Sequence, residues 1–177
     1  MPDAGAELWW EQAESDRRAA RRVLNVDDPR TFCHAVAKQQ QAVEKAVKAL
    51  ASALRDAGMA SVRIKFTHGV DKLINVLKRL HRPNSVNSTV QGRLDRLLTP
   101  HWESEISAIM ELAPHRPLED QPVPRNTEYP YQNQDGSWRA PASAGSFADA
   151  DVRRFQALAD HIVTGAERLV AAIIRRP

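Results

Sequence analysis

The chain has 177 residues, and no apolar run approaches the roughly 18 residues of a membrane-spanning helix, so length and composition predict one globular domain and no membrane segment. The single cysteine, Cys33, cannot form an internal disulfide, and the acidic N-terminus lacks a signal-peptide core, which together favour a cytoplasmic location. The net charge of +3 hides a basic middle segment, residues 31–99, whose twelve basic and four acidic side chains either face phosphate or, more commonly, form solvated helix surfaces.

The first predicted helix spans residues 6–25. Its apolar face carries Trp9 and Ala13, and Asp16 lies within the same stripe. Asp16 is therefore either a buried polar contact to a neighbouring helix or the exposed edge of the stripe. Asp28 is the predicted N-cap of the next helical segment, because Pro29, which follows it, suits a first helical turn.

The main predicted helix covers residues 32–54 and ends near Gly58, a natural C-terminal stop. It is rich in good helix formers, and Glu44 precedes Lys48 by one turn, the favourable order for a helical ion pair. Cys33 near its start is predicted to be a small core residue, since no motif supports a nucleophile. Its apolar face consists of Val36, Val43, Val47, Leu50 and Leu54.

Two or three further helices are predicted before residue 113. Thr67 is the expected N-cap of the next helix, with His68 just inside it, and that helix ends at residues 81–83. A fourth helix follows from about Val90. Thr99 is interpreted as a new N-cap and Pro100 as the first residue of a segment reaching about residue 112, although one kinked continuous helix is an alternative.

Residues 114–145 contain six of the eleven prolines and lose all periodicity, which predicts a long loop. Its aromatic residues Tyr129, Tyr131 and Trp138 indicate that part of it packs. A last helix is predicted from a capping-box-like start at Ser146, and the domain core is expected over residues 6–113 and 146–174. The seam of this helix either completes the bundle or makes a dimer contact. The seam residues are Val152, Phe155, Ala159, Ile162, Ala166, Leu169 and Ile173.

These features together resemble the HEPN domain family (higher eukaryotes and prokaryotes nucleotide-binding). Residues 40–50, QQAVEKAVKAL, are similar to the Gln-Ala-x-Glu-Lys-x-x-Lys-Ala-Leu motif of the family. Thr67-His68 with Leu73 resembles its entry to the third helix, and Tyr129-Pro130 its Arg-Tyr-Pro, although Glu128 replaces the Arg. The resemblance implies an all-α, up-and-down bundle of four to five helices that usually dimerises.

The resemblance implies two groups of functions. Some members are metal-independent ribonucleases, often toxins of toxin–antitoxin pairs, that use an Arg and a His with four to six residues between them. Others lack this motif and have been proposed to bind nucleotides or to accompany a small nucleotidyltransferase.

The Arg-to-His spacing has little specificity in this chain. It occurs as Arg63–His68, Arg96–His101 and Arg154–His161, and chance alone gives about two such pairs at this composition. Arg125-Asn126 stands near the position typical of the ribonucleases, but no His follows at the required distance. No metal-ligand spacing and no Gly-rich phosphate loop is present, so no metal or other cofactor is expected.

The leading hypothesis is a HEPN-type protein that binds a nucleotide or RNA phosphate, or is an accessory to a nucleotidyltransferase. The predicted groove residues are Lys45, Lys48 and His68, with Arg63 and Lys65 at the mouth and Tyr129 as a cover.

Two alternatives remain open. The first is a ribonuclease toxin paired with an antitoxin, with Arg96–His101 as the first catalytic pair and Arg63–His68 as the second. The second is a structural dimerisation module with the seam of the last helix as its interface.

Overall fold

The chain forms a helical bundle, as the sequence predicts. The computed structural model describes residues 5–26, 28–59, 74–75, 77, 88–112, 125–128, 130–143 and 145–174. The helices are α1 (Ala6–Leu24), α2 (Phe32–Asp56), α3 (Ser88–Leu97), α4 (Pro100–Met110) and α5 (Asp149–Ile174), and a 3-10 turn, Pro29–Thr31, precedes α2. Ile74, Asn75 and Leu77 are also helical, and the side chains of Ile74 and Leu77 are buried.

The helix α2 is the centre of the bundle. It packs most extensively against α1 and α5 and also contacts α4. Its predicted apolar face is buried, Cys33 is a core residue as predicted, and alanines on its other faces are buried too. Small side chains on several faces let neighbouring helices approach from more than one side, which is how a single helix can organise the core.

The predicted ends of α2 are confirmed. The Asp28 carboxylate accepts a hydrogen bond from the Arg30 backbone N–H at 3.0 Å, which caps the turn that leads into the helix. At the other end, Gly58 has a φ of 70° and the Met59 N–H donates to the Leu54 carbonyl at 2.8 Å. Glycine adopts this left-handed conformation without steric cost, and the bond from Met59, five residues after Leu54, satisfies a carbonyl of the last turn.

The connection between α3 and α4 is a break and not a kink. Thr99 has an extended backbone, and its hydroxyl accepts a hydrogen bond from the Trp102 N–H at 3.5 Å. Pro100 occupies the first helical position, where its missing N–H costs nothing. The prediction of a new helix capped by Thr99 is therefore confirmed, and the continuous helix is excluded.

The seam of α5 completes the bundle. All seven predicted seam residues are buried within the chain, and α5 contacts every other helix named above. Leu169 is only 1% exposed, so this seam is not available as a dimer interface, and that prediction is wrong. The Ser146 capping box is also wrong, because the Ser146 hydroxyl donates to the Ala140 carbonyl and α5 begins at Asp149.

Part of the predicted long loop forms a hairpin that the sequence pattern did not predict. Strand β1 (Tyr131–Gln132) pairs antiparallel with β2 (Trp138–Arg139), and Gly136 turns the chain with a φ of 81°. The prediction that part of this loop packs is confirmed by Tyr131, which is 4% exposed, whereas Trp138 is 61% exposed. Within the described parts of the chain, no helix combines the length and apolar character that crossing a membrane requires.

Candidate functional site

A groove of about 950 Å³ runs between α3 and α5. Its charged and polar walls come from both helices, and its floor is formed by Leu97, Leu169 and small residues of α5. The polar lining residues are Arg93 and Arg96 from α3 and Asp160, His161, Thr164 and Arg168 from α5.

The helices α3 and α5 approach each other closely at Gly165, a glycine that lines the groove. A Cβ atom added to Gly165 would lie 2.2 Å from the Leu97 Cδ1 atom, far inside van der Waals contact. The absence of a side chain at Gly165 thus lets Leu97 fill the floor. Because residues four apart on a helix share one face, Asp160, Thr164 and Arg168 lie along the same wall.

Arginine dominates the charge of the groove. The Arg93 Nη1 atom donates to the Arg168 backbone carbonyl at 3.1 Å, which fixes its side chain across the groove. Arg96 and Arg168 are exposed, and no described residue forms a hydrogen bond or ion pair with either guanidinium. These side chains can therefore offer their donors to an anion, and the planar guanidinium matches phosphate oxygens well.

Asp160 is the carboxylate of this groove, and α1 holds it in place. Its Oδ1 atom accepts hydrogen bonds from Arg17 at 2.8 Å, from Arg21 at 2.8 Å and from Gln156 at 3.0 Å. Burial opposes ionisation, but the bonds from Arg21, Arg17 and Gln156 outweigh it and hold the pKa of Asp160 below its usual range. The carboxylate is therefore ionised at neutral pH.

His161 is held by α3 and α4. Its Nε2 atom lies 3.2 Å from the Leu97 carbonyl, and its ring stacks on Trp102 with centroids 4.2 Å apart. Burial lowers the pKa of His161; the Leu97 carbonyl opposes this shift, and the neighbouring His101 adds to it. A carbonyl accepts only, so the neutral ring carries its proton on Nε2 and leaves Nδ1 as an acceptor.

Arg96 and His101 do not line the same groove. His101 is exposed beside Trp102, with ring centroids 4.8 Å apart, and it does not line the groove that contains Arg96. The groove instead contains His161, which was not among the predicted site residues. Arg154, its partner by spacing, forms an ion pair with Glu105 at 2.6 Å. The catalytic role of Arg96–His101 stays a prediction.

The predicted ligand residues Lys45 and Lys48 belong to the interface between α1 and α2. Lys45 contacts the Asp16 carboxylate, and Asp16 is buried, so the first of its two interpretations is confirmed. Lys48 is 2% exposed, with its Nζ atom 2.5 Å from Glu44 and 4.9 Å from the centre of the Trp9 ring. A ligand role for these lysines stays a prediction, and Lys48 has no access to solvent in this arrangement.

The remaining predicted site residues, Arg63, Lys65, His68 and Tyr129, lie outside the described residues. Arg125, the arginine near the ribonuclease position, lies over the Phe147 ring at 4.3 Å and pairs with Asp151 at 3.4 Å. Across the described part of the chain, no group of three or more His, Cys, Asp or Glu side chains is arranged to hold a metal ion.

Comparison with known proteins identifies one family. A family model described as HEPN domain matches residues 6–105, which is more than half of the chain. Neither a curated protein nor a solved structure shows significant similarity to the chain.

Proposed function

The chain belongs to the HEPN domain family, which supports a nucleotide- or RNA-related function in general, and from this premise we propose that the α3–α5 groove binds the phosphate groups of RNA or of a nucleotide. The observation that carries the proposal is the exposure of Arg96 and Arg168 in one groove, where no described carboxylate neutralises them. Among the described residues that line the groove, Asp160 is the one carboxylate, and it is already paired with two arginines of α1.

The chemistry of the groove suits a phosphodiester chain. Exposed guanidinium groups form charge-assisted bidentate hydrogen bonds with phosphate oxygens. The volume of about 950 Å³ lies at the upper end of the range for small-molecule sites, so a nucleotide or a short stretch of single strand fits it. Binding dominated by phosphate contacts is expected to depend little on sequence and strongly on salt.

The test compares two charge-matched triple variants. One carries Arg93→Gln, Arg96→Gln and Arg168→Gln in the groove, and the other carries Arg18→Gln, Arg30→Gln and Arg153→Gln on exposed surfaces elsewhere. Both lower the net charge by three, so any difference between them reports position and not total charge.

Fluorescence anisotropy with a labelled single-stranded uridine oligomer measures the affinity over a series of salt concentrations. We expect the groove variant to lose most of its affinity and to flatten the plot of log affinity against log salt by about two units, since three phosphate contacts are lost. The surface variant should bind nearly as the unaltered chain does. Equal losses in the two variants would reject the groove as the binding site.

A second candidate function is metal-independent RNA cleavage in the same groove. The observation that favours it is the presence of Arg96 and a neutral His161 on opposite walls. The Nδ1 atom of His161 would accept the proton of a ribose 2′-hydroxyl, whose oxygen attacks the adjacent phosphorus. Arg96 would stabilise the added charge. The 5′-oxygen leaves and takes a proton from water, which yields a 2′,3′-cyclic phosphate and a 5′-hydroxyl end.

Incubation of labelled RNA with the purified protein in EDTA tests this candidate. Cleavage that disappears in His161→Gln but persists in His101→Gln would support His161 as the base. Loss in His101→Gln alone would return the role to the pair Arg96–His101. Intact RNA in all samples would leave binding without cleavage.

The partners implied by the resemblance remain part of the proposal. A homodimer, an antitoxin or a nucleotidyltransferase would each have to bind outside the buried seam of α5. Light scattering of the purified chain across a concentration series measures the oligomeric state, and a monomer at all concentrations would remove the homodimer.

A further inference from the structure

One oxygen of the Asp160 carboxylate accepts hydrogen bonds from described residues, and the other does not. All three donors that reach it, from Arg17, Arg21 and Gln156, bind Oδ1. No described residue donates to Oδ2, and the side chain of Asp160 is 33% exposed where it lines the groove. The groove therefore contains a fixed hydrogen-bond acceptor among its arginines.

We infer that Asp160 is a specificity-determining residue that accepts a hydrogen bond from a ribose 2′-hydroxyl and so makes the groove select RNA over DNA. This inference rests on the proposed function, since it requires a phosphodiester chain in the groove. An ionised carboxylate near a phosphate backbone is unfavourable unless a donor of the ligand meets it. In the sugar–phosphate backbone within a strand, only the 2′-hydroxyl is such a donor, and DNA lacks it.

The arrangement of charges favours this interpretation over simple repulsion. Arg17 and Arg21 lie on the α1 side of Asp160 and offset its charge, so the carboxylate costs less in a groove that attracts anions. Asp160 and Arg168 are separated by eight residues of α5, or about 12 Å along the helix axis. A backbone lying along the groove can thus place phosphates near the arginines and a sugar near Asp160.

The experiment measures a ratio of affinities, which is insensitive to overall charge. Anisotropy titrations compare three labelled oligomers of equal length: uridine, deoxyuridine and 2′-O-methyluridine. The bases are the same, so donors on the base contribute equally. We expect the unaltered chain to bind the uridine oligomer about tenfold more tightly than either other oligomer, the effect of one hydrogen bond to a charged group.

Asp160→Asn keeps the shape of the side chain and an oxygen for Arg17 and Arg21, but it replaces the second oxygen with a donor. We expect its preference for RNA to fall to about twofold or less, while its affinity for the deoxyuridine and 2′-O-methyluridine oligomers rises with the loss of negative charge. The matched control is Asp151→Asn, which removes the same charge from an aspartate of α5 with 34% exposure outside the groove. The Asp151→Asn variant should bind the uridine oligomer in preference to the other two as strongly as the unaltered chain does.

Each outcome is decisive. If the unaltered chain binds the uridine and deoxyuridine oligomers equally, or if Asp160→Asn keeps the preference, the role of Asp160 is rejected while the phosphate-binding groove stands. If no oligomer binds at low salt, both proposals fail. Because the three oligomers test the unaltered chain, the inference can be rejected even if Asp160→Asn does not fold.

Discussion

Removing the Glu44 carboxylate should destabilise the fold strongly, because it leaves a buried charge without its partner. Glu44 and Lys48 are one helical turn apart on α2, and their side chains are 6% and 2% exposed. In Glu44→Gln, the Lys48 ammonium keeps the Trp9 ring as a neighbour but loses the carboxylate at 2.5 Å. The same pair is part of the sequence motif that led to a ligand-binding prediction for Lys48, so the variant separates two roles.

The expected cost follows from the burial of the pair. Breaking one partner out of a buried ion pair costs about 3–5 kcal/mol. The contact between Lys48 and Trp9 is retained and is worth about 0.5–2 kcal/mol, which favours the lower end, about 3 kcal/mol. For a domain of this size that is a fall in Tm of about 6–12 °C. A matched pair with the same spacing, Asp149 and Arg153, is 52% and 74% exposed, so Asp149→Asn should cost less than about 1 kcal/mol.

Urea unfolding followed by circular dichroism measures both variants, and the midpoint at an unchanged slope gives the change in the free energy of unfolding. The companion variant Lys48→Met should also lose stability, yet the protein that remains folded should bind the uridine oligomer with unchanged affinity. If Glu44→Gln costs no more than Asp149→Asn, the pair is not isolated from solvent. If Lys48→Met loses affinity without losing stability, the lysine belongs to a ligand site and the structural argument is wrong.

Three further predictions concern the groove and its supports. Gly165→Ala should lower the free energy of unfolding by about 1–3 kcal/mol, because its Cβ atom would lie 2.2 Å from Leu97. Gly92→Ala on α3, whose Cβ atom would contact nothing within 4 Å, should raise it by about 0.5–1 kcal/mol. Urea unfolding of the two variants measures both changes. Burial lowers the pKa of His161 below 6.5, so the folded state binds fewer protons than the unfolded state, and stability should fall as the pH drops below about 6.5. His161→Gln should reduce this loss of stability when the free energy of unfolding is measured between pH 7 and pH 5. The pKa of Asp160 is held below 3.8, so its ion pairs stabilise the fold above pH 3.8, and this stabilisation is lost as the pH falls through the pKa of the folded state. The difference in the free energy of unfolding between the unaltered chain and Asp160→Asn should therefore vanish in strong acid. A difference that stays constant with pH would contradict this prediction.

The parts of the fold that the sequence predicts well are those decided by local chemistry. Asp28, Gly58 and Thr99 set helix boundaries through bonds to the backbone within a few residues, and such bonds are readable from spacing alone. Local signals failed where another bond of the same side chain competed with them. The Ser146 hydroxyl bonds the Ala140 carbonyl, so it does not cap α5. The hairpin has strands of two residues, too short for periodicity, and Asp135-Gly136 was its one available turn signal.

The candidate site was predicted less well because its residues meet only in three dimensions. Arg96 and His161 are 65 positions apart in the sequence, and the close packing of Gly165 on Leu97 in the groove has no local signature. Spacing along one segment instead paired Arg96 with His101 and Arg154 with His161, whereas the described lining of the groove contains Arg96 and His161 and neither of these partners. A spacing rule can identify a site only when both residues lie on the same element and face the same space.

The motif that identifies the family and the groove that carries the proposed function lie in different parts of the molecule. The motif of residues 40–50 supplies Glu44, Lys45 and Lys48; Lys45 and Lys48 contact Asp16 and Trp9 of α1, and Glu44 pairs with Lys48 within α2. The presence of this motif therefore indicates how α1 and α2 pack and does not identify a ligand site. The family match over residues 6–105 includes the α3 wall of the groove but not α5, from which Asp160, His161 and Arg168 come. Family membership thus constrains one wall of the groove, and the chemistry of the other wall has to be decided by variants of α5.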